Sequence, residues 1–250
     1  MNNEDLKSKY DEMHSKGQSS WFSDGKEERE LILKMGDPWE GKMVLEIGCG
    51  EGDLANLMYL EESLVWAIDY SREAINRAIL RYPDSGAMFA MKDYRDMRYK
   101  YERIVMQGVL EHLDDPFKEL KWMMDNLLTE KGDVITSSPC FLNPRGIIWM
   151  TLDMVGAVMS KTDLHFLNPW EINKFCNDNK FSLKIGMCDE SLACGGQMVE
   201  DLKQRIPLAL KDGNISFKME KFDYFIKWID SHCHLTNAGA TAVYKITKGT

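Results

Sequence analysis

The sequence predicts an α/β fold: a mostly parallel sheet with helices packed on both faces. Two observations carry this. Short apolar runs alternate with amphipathic helical patterns from Met43 to Ser137, the rhythm of strand–helix–strand units. The first run, Val44-Leu45-Glu46-Ile47, passes straight into Gly48-Cys49-Gly50-Glu51-Gly52 and then a helical pattern at Leu54, Ala55, Leu57 and Met58. A strand, a glycine turn and a helix start together make a ligand site, because glycine lets the backbone approach a ligand closely.

Each element has its own local reason. Leu6, Tyr10 and Met13 share one helical face, and Leu31, Ile32 and Met35 form a second patch. The segment through Met35 is therefore expected to be helical and peripheral. Trp21 and Phe22, between the two patches, are expected to staple it to the core. Leu64 to Ile68 predicts a second strand ending at Asp69, and Ser71 is a natural cap for a helix from Arg72 to Tyr82. After the turn at Pro83–Gly86 come a third strand, Ala87 to Met91, and a fourth, Tyr101 to Gln107. Asp115-Pro116 starts a helix that runs to about Leu128, and Val134 to Ser137 is a fifth strand.

Past residue 140 the pattern loosens. The stretch 147–159 is apolar on two neighbouring helical faces, so a helix there is expected to be largely covered, by the core or by a second copy in a homodimer. Asn168-Pro169-Trp170-Glu171 carries a cap, a proline at the first helical position and a glutamate placed for a capping-box contact. Phe181 to Met187 is a sixth strand, helices are expected near Met198–Leu210 and Phe217–Ile229, and Thr241 to Ile246 is a last strand.

Composition narrows the function. The formal net charge is −9 over 250 residues, and no long Lys/Arg cluster supplies the basic face that phosphate backbones require, so nucleic acid is disfavoured. The six cysteines are scattered, with no C-x-x-C pair, which signals neither a zinc site nor a disulfide framework and fits a reducing cytoplasm. The polar, acidic N-terminus is unlike a signal peptide. No apolar run reaches the roughly 18 residues of a membrane span.

Ligands in parallel sheets bind beyond the carboxyl ends of the strands. The candidates are therefore Glu46 to Gly52, Asp69, Asp93, Gln107 to His112 and Ser138 to Pro144. A dinucleotide fingerprint needs its third glycine at position 53, which is Asp; here the glycine is at 52. Carboxylates on either side of the turn, Glu46 and Asp53, suit a ligand with a positive end rather than a pyrophosphate. Asp69 lies about 20 residues beyond the loop, where a carboxylate accepts ribose hydroxyls. A ribose-bearing cation is the ligand these residues describe.

At this point the chain resembles the class I S-adenosylmethionine-dependent methyltransferases, in their small-molecule branch of quinone, sugar and polyketide enzymes. Val44 to Gly52 resembles their glycine-rich first motif, Ala67-Ile68-Asp69-Tyr70-Ser71 the acidic motif, and Lys92-Asp93-Tyr94 the adenine motif. Arg103 to Pro116 resembles the fourth motif, with Glu102-Arg103 where an aspartate often opens the strand. The resemblance is close over residues 40–140 and weak over Asp189–Asn237. It implies a Rossmann-like, seven-stranded, mostly parallel sheet with an antiparallel last strand, built as a single domain. Residues 1–36 would be a helical cap, 37–140 the cofactor-binding core, and 141–167 and 189–237 insertions that shape the acceptor pocket.

The resemblance also implies roles. Gly48, Gly50 and Gly52 would wrap the methionine part of the cofactor, with Glu46 supporting the loop or the ammonium group. Asp69 would hold the ribose, Tyr70 pack on the adenine, Asp93 accept from its amino group beside Tyr94, and Gln107 and Val109 line the sulfonium. The protein would supply position and electrostatics, the cofactor the methyl. His112 and His165 are the candidate bases for a protonated acceptor. His232-Cys233-His234 is expected to be a helix end, and no metal is expected. The implied reaction is O- or N-methylation of a small molecule such as a sugar, quinone or lipid-linked intermediate. The rivals are an NAD-dependent oxidoreductase and a non-catalytic cofactor-binding or scaffold protein.

Overall fold

The computed structural model describes residues 25–160, 162–232 and 239–248. Leu6, Tyr10, Met13, Trp21, Phe22, Cys233 and His234 lie outside them. The first described helix is α1 (Lys26–Gly36), followed by β1 (Met43–Ile47), α2 (Asp53–Leu60), β2 (Leu64–Asp69), α3 (Arg72–Arg81) and β3 (Met88–Met91). Next come β4 (Tyr101–Gln107), α4 (Pro116–Asn126), β5 (Leu128–Pro139), α5 (Pro144–Met154), α6 (Pro169–Asn179) and β6 (Phe181–Cys188). The chain closes with α7 (Glu190–Cys194), α8 (Gly196–Asp212), α9 (Met219–His232) and β7 (Thr241–Lys248).

The strands form a seven-stranded sheet in the order β3-β2-β1-β4-β5-β7-β6. β1 pairs in parallel with β2 and β4, β2 with β3, and β4 with β5. β7 runs antiparallel between β5 and β6. Val44, Leu45, Ile104 and Val105 are wholly buried, as continuous apolar runs in a sheet covered on both faces must be. Chain order reverses between β1 and β4, and that reversal opens the crevice beyond their carboxyl ends.

The expected helix starts are built as their chemistry dictates. Ser71 accepts from the Ala74 amide, Asp115 from Lys118, and Asn168 from both Trp170 and Glu171. The Asn168 amide also donates to Glu171 Oε2 at 2.7 Å, which closes the capping contact.

Three expectations change. α1 is not peripheral: Ile32 is fully buried in a cluster with Val44, Val105, Ile135 and Val243. β5 starts at Leu128 rather than Val134, because a register shift opposite Tyr101/Arg103 absorbs the polar residues that look like a turn. The apolar helix starts earlier and stops earlier than 147–159. Asn143 caps it by accepting from the Gly146 amide, and Gly156, at φ 91°, lies just beyond its end. The core of this chain covers one face of that helix: Trp149 is buried, but Ile147 and Met154 are 62% and 78% exposed. Its inner face joins α8 and α9 in a core of their own, through Trp149, Met198, Leu202, Ile206, Ile226 and Ile229.

Candidate active site

The turn after β1 is made by backbone conformation. Gly48, Gly50 and Gly52 all have positive φ, at 74°, 51° and 85°, in the region that L side chains avoid. Two of them are also held by sterics. A Cβ at Gly48 would lie 2.6 Å from Val109 Cγ2, and one at Gly52 would lie 2.8 Å from the Phe89 ring. At Gly50 a Cβ would meet nothing within 4 Å. The outer glycines are therefore packed against the protein, and the middle one borders open space.

The loop is tied to β2. The Gly48 and Cys49 amides donate to the Ile68 carbonyl at 2.8 and 3.0 Å. The Gly50 amide donates to Asp69 Oδ2 at 3.0 Å, and the Ser71 amide to Asp69 Oδ1 at 2.8 Å. Asp69 thus braces the glycine turn and the start of α3 while standing half-buried at the strand tip.

Glu46 is 2% exposed, and its Oε2 has no hydrogen-bond partner among the described residues. Burial raises its pKa well above the usual carboxylate value, and Asp69 and Asp53 raise it further against the pull of Arg29. Arg29 was not singled out in the sequence because it sits in a charged helical stretch. Docking of α1 across the strand tips gives it electrostatic contact with Glu46, Glu28 and Tyr82. Gln107 at the end of β4 donates to Glu28 Oε2 at 2.6 Å, so the first turn of α1 is fastened to the site.

Asp93 and Tyr94 follow β3. The exposed Asp93 accepts from the Arg95 amide at 2.8 Å and caps a 3-10 turn. The Tyr94 hydroxyl points elsewhere than a ligand: it donates to Glu119 of α4 at 2.6 Å, and its ring meets Trp122 edge-on. Tyr70 is 38% exposed at the tip of β2.

Both histidines are committed to backbone carbonyls. His112 Nδ1 is 3.0 Å from the Thr162 carbonyl and also interacts with the Gly108 backbone. Burial lowers its pKa against the opposing effect of Asp163, 3.5 Å away. His165 Nε2 is 3.2 Å from the Asp114 carbonyl and lines a pocket of about 340 Å³ with Asp115, Phe117 and Glu171. Between them in the fold stands a residue given no role from the sequence. Glu111 is 3% exposed, and its Oε2 has no partner among the described residues. The available signal was a single carboxylate inside the otherwise apolar Val109-Leu110 and Leu113 surroundings. Among the described residues no group of three or more His, Cys, Asp or Glu side chains is placed to hold a metal ion.

Comparisons with known proteins meet this geometry. The family described as "Methyltransferase domain" matches residues 24–169. Ubiquinone biosynthesis O-methyltransferase of Salmonella paratyphi A is 31% identical over 123 residues, which are 47% of this chain and 49% of that protein. Cyclopropane-fatty-acyl-phospholipid synthase of Escherichia coli is 31% identical over 140 residues, 56% of this chain and 32% of that protein. The matches thus span half or less of these relatives. Among solved structures, a cyclopropane-fatty-acyl-phospholipid synthase-like protein from Lactobacillus casei superposes with a TM-score of 0.60 at 16% identity, covering 88% of this chain and 90% of that one.

Proposed function

Because this chain belongs to the class I S-adenosylmethionine-dependent methyltransferases, we propose that it transfers the methyl group of S-adenosylmethionine to a small-molecule acceptor. The observation that carries the assignment of its site is the orphaned Glu46 carboxyl on the strand that runs into the glycine turn, where Gly50 borders open space. An ammonium group gives Glu46 Oε2 its missing donor and relieves the cost of an unpaired buried acceptor. Arg29 then pairs with the cofactor's carboxylate. Asp69, already aligned by two amides, accepts the ribose hydroxyls, Tyr70 covers the adenine, and Asp93 takes its amino group beside Tyr94. Gln107 and Val109 border the sulfonium end.

The bound cofactor supplies an activated methyl; the chain's residues position it and exclude water. The glycine turn fixes the methionine part because its amides are held by Ile68 and Asp69. We assign the acceptor pocket to α1 and to the 141–167 and 189–237 segments, with α5, α8 and α9 as its wall. Proton removal falls to a group other than His112 and His165, whose imidazoles brace the Thr162 and Asp114 carbonyls.

No helix among the described residues is long and apolar enough to cross a membrane. Cys49, Cys140, Cys176 and Cys188 are buried free thiols, which supports a cytoplasmic setting. Calorimetry with S-adenosylmethionine tests the assignment. Binding by the wild-type protein that is lost in Asp69→Ala supports it; no binding by the wild-type protein overturns it.

A further inference from the structure

The tips of β4 and β5 carry a second set of unsatisfied polar groups, separate from Glu46. In parallel register Gln107 meets Ser137, and their side chains share one face of the sheet with Glu28 of α1. Thr136 and Ser138 lie on the opposite face, where Thr136 is paired with Tyr244. Ser138 and Tyr244 are both buried; their hydroxyls interact with each other and find no other hydrogen-bond partner among the described residues. Glu111 interacts electrostatically with Tyr244 and with Glu28, and its Oε1 would lie 3.5 Å from a Cβ at Gly108. Glu111 therefore sits at the strand tips, one residue beyond Leu110 and two beyond the Val109 that packs over Gly48.

The charged surroundings of Glu111 have one sign. Asp163 faces it from the segment before α6 and Glu28 from α1. Glu28 is in turn faced by Asp189 and, as the one cation, Arg29. His112, whose pKa burial lowers, is 3.5 Å from Asp163. Burial and these neighbours push the Glu111 carboxyl well up from its usual value. What the cluster lacks is a donor with positive charge. Glu111 Oε2, Ser138 Oγ and Tyr244 Oη can all accept a hydrogen bond. An acceptor that must become an oxyanion before methylation would meet carboxylates on two sides.

We propose that the methyl acceptor is a cationic amine and that Glu111 is the catalytic group that receives its proton. The proposal rests on the methyltransferase reading above. A protonated amine, R–NH3+, gives one proton to the Glu111 carboxylate and becomes R–NH2. The nitrogen lone pair then forms the N–C bond as the C–S bond breaks, and that electron pair stays on sulfur. The positive charge passes from the sulfonium to the methylated amine; Glu111 keeps the proton it received and is protonated again when product departs, so the one proton released per turnover is the one that leaves to water when the amine binds. Glu28 acts as a positioning residue: its charge favours the cation, and its bond to Gln107 keeps α1 closed over the strand tips.

The test uses the full chain and two isosteric probes, n-butylamine and n-butanol, in calorimetric titrations run in two buffers of different ionisation enthalpy. The amine is expected to bind at least about tenfold more tightly than the alcohol, as a charged hydrogen bond to a buried carboxylate requires. Its uptake releases a proton, because pairing ionises Glu111. In Glu111→Gln both the preference and the proton release disappear while S-adenosylmethionine affinity is kept. Glu28→Gln retains the proton release and loses several-fold of the preference, which covers the case in which Glu111→Gln does not fold. Equal binding of amine and alcohol, or a preference that survives in Glu111→Gln, overturns the proposal. In either case wild-type binding of S-adenosylmethionine leaves the methyltransferase reading standing, whereas its absence removes that reading first.

Discussion

The Gly50 amide and Asp69 Oδ2 are 3.0 Å apart, so the turn after β1 and the tip of β2 move as one unit. Asp69 holds the glycine turn, and in the proposed site it would also present its oxygens to the cofactor's ribose. Asp69→Asn keeps the size but turns an acceptor into a donor facing an amide. We expect S-adenosylmethionine affinity to fall about 10- to 100-fold, the range for charge-assisted hydrogen bonds, with a Tm lowered by a few degrees at most. Calorimetry and a thermal melt separate the two effects. Unchanged affinity would take the ribose role from Asp69.

Glu46 gives a pH signature. Its carboxyl is held above the ordinary range in the fold, chiefly by burial, so the folded state keeps a proton that the unfolded chain releases from about pH 4.3 upward. That contribution to stability is complete below the unfolded pKa and is lost as pH rises through the raised folded value. Glu46→Gln mimics the protonated form at every pH. The ligand-free variant is expected to melt above the wild type at neutral pH and to match it near pH 4. It should also bind S-adenosylmethionine more weakly, since the amide offers the ammonium no charge. A pH series of melts that runs parallel for both proteins would contradict this account of Glu46.

Arg103 replaces the acidic residue expected to open β4, and the fold explains it. Its Nε and Nη2 meet both oxygens of Asp133 at 2.6 and 2.9 Å, its other nitrogen reaches the Gly36 carbonyl, and its guanidinium lies 4.4 Å from the Trp39 ring centroid. The side chain is only 2% exposed. Removing one partner leaves a buried charge unpaired, so Asp133→Ala should cost about 3–5 kcal/mol. Lys245 Nζ, 3.3 Å from Asp133 Oδ2, would then add a second cation beside Arg103. Denaturant melts check this; the doubly substituted Arg103→Met/Asp133→Leu protein should recover part of the loss.

The sheet was legible because parallel strands buried on both faces are continuous apolar runs, and β1, β2 and β4 are such runs with polar tips. The proposed cofactor side follows from the same pattern, since Glu46, Asp69 and Asp93 stand at or just after strand ends. What depends on contacts far along the chain was not. Glu28 and Arg29 look like the solvated face of a short charged helix, and only the docking of α1 over β4 and β5 turns them inward. Lys131-Gly132-Asp133 has the composition of a turn, yet a strand continues through it because Arg103 needs Asp133 beside it. The Tyr94 hydroxyl belongs to Glu119, a partner 25 residues away that no local pattern announces.

In the proposed site the two histidines brace backbone carbonyls and leave proton transfer to another group. His112 joins the 3-10 turn after β4 to the Thr162 carbonyl from a mostly buried position, and its burial keeps the ring neutral. Replacing it leaves the Thr162 carbonyl short of a donor and opens a void, so His112→Ala should lower stability by about 1–3 kcal/mol. His165 is half-exposed, and its single 3.2 Å contact to the Asp114 carbonyl can be taken over by water. His165→Ala should therefore keep both stability and single-turnover rate to within about twofold, a difference under 0.5 kcal/mol. Rates are read in labelled-methyl transfer once an acceptor is in hand, and stability by denaturant melts before that. A rate loss of a hundredfold in His165→Ala, with its fold intact, would restore the imidazole as the base and displace Glu111 from that role.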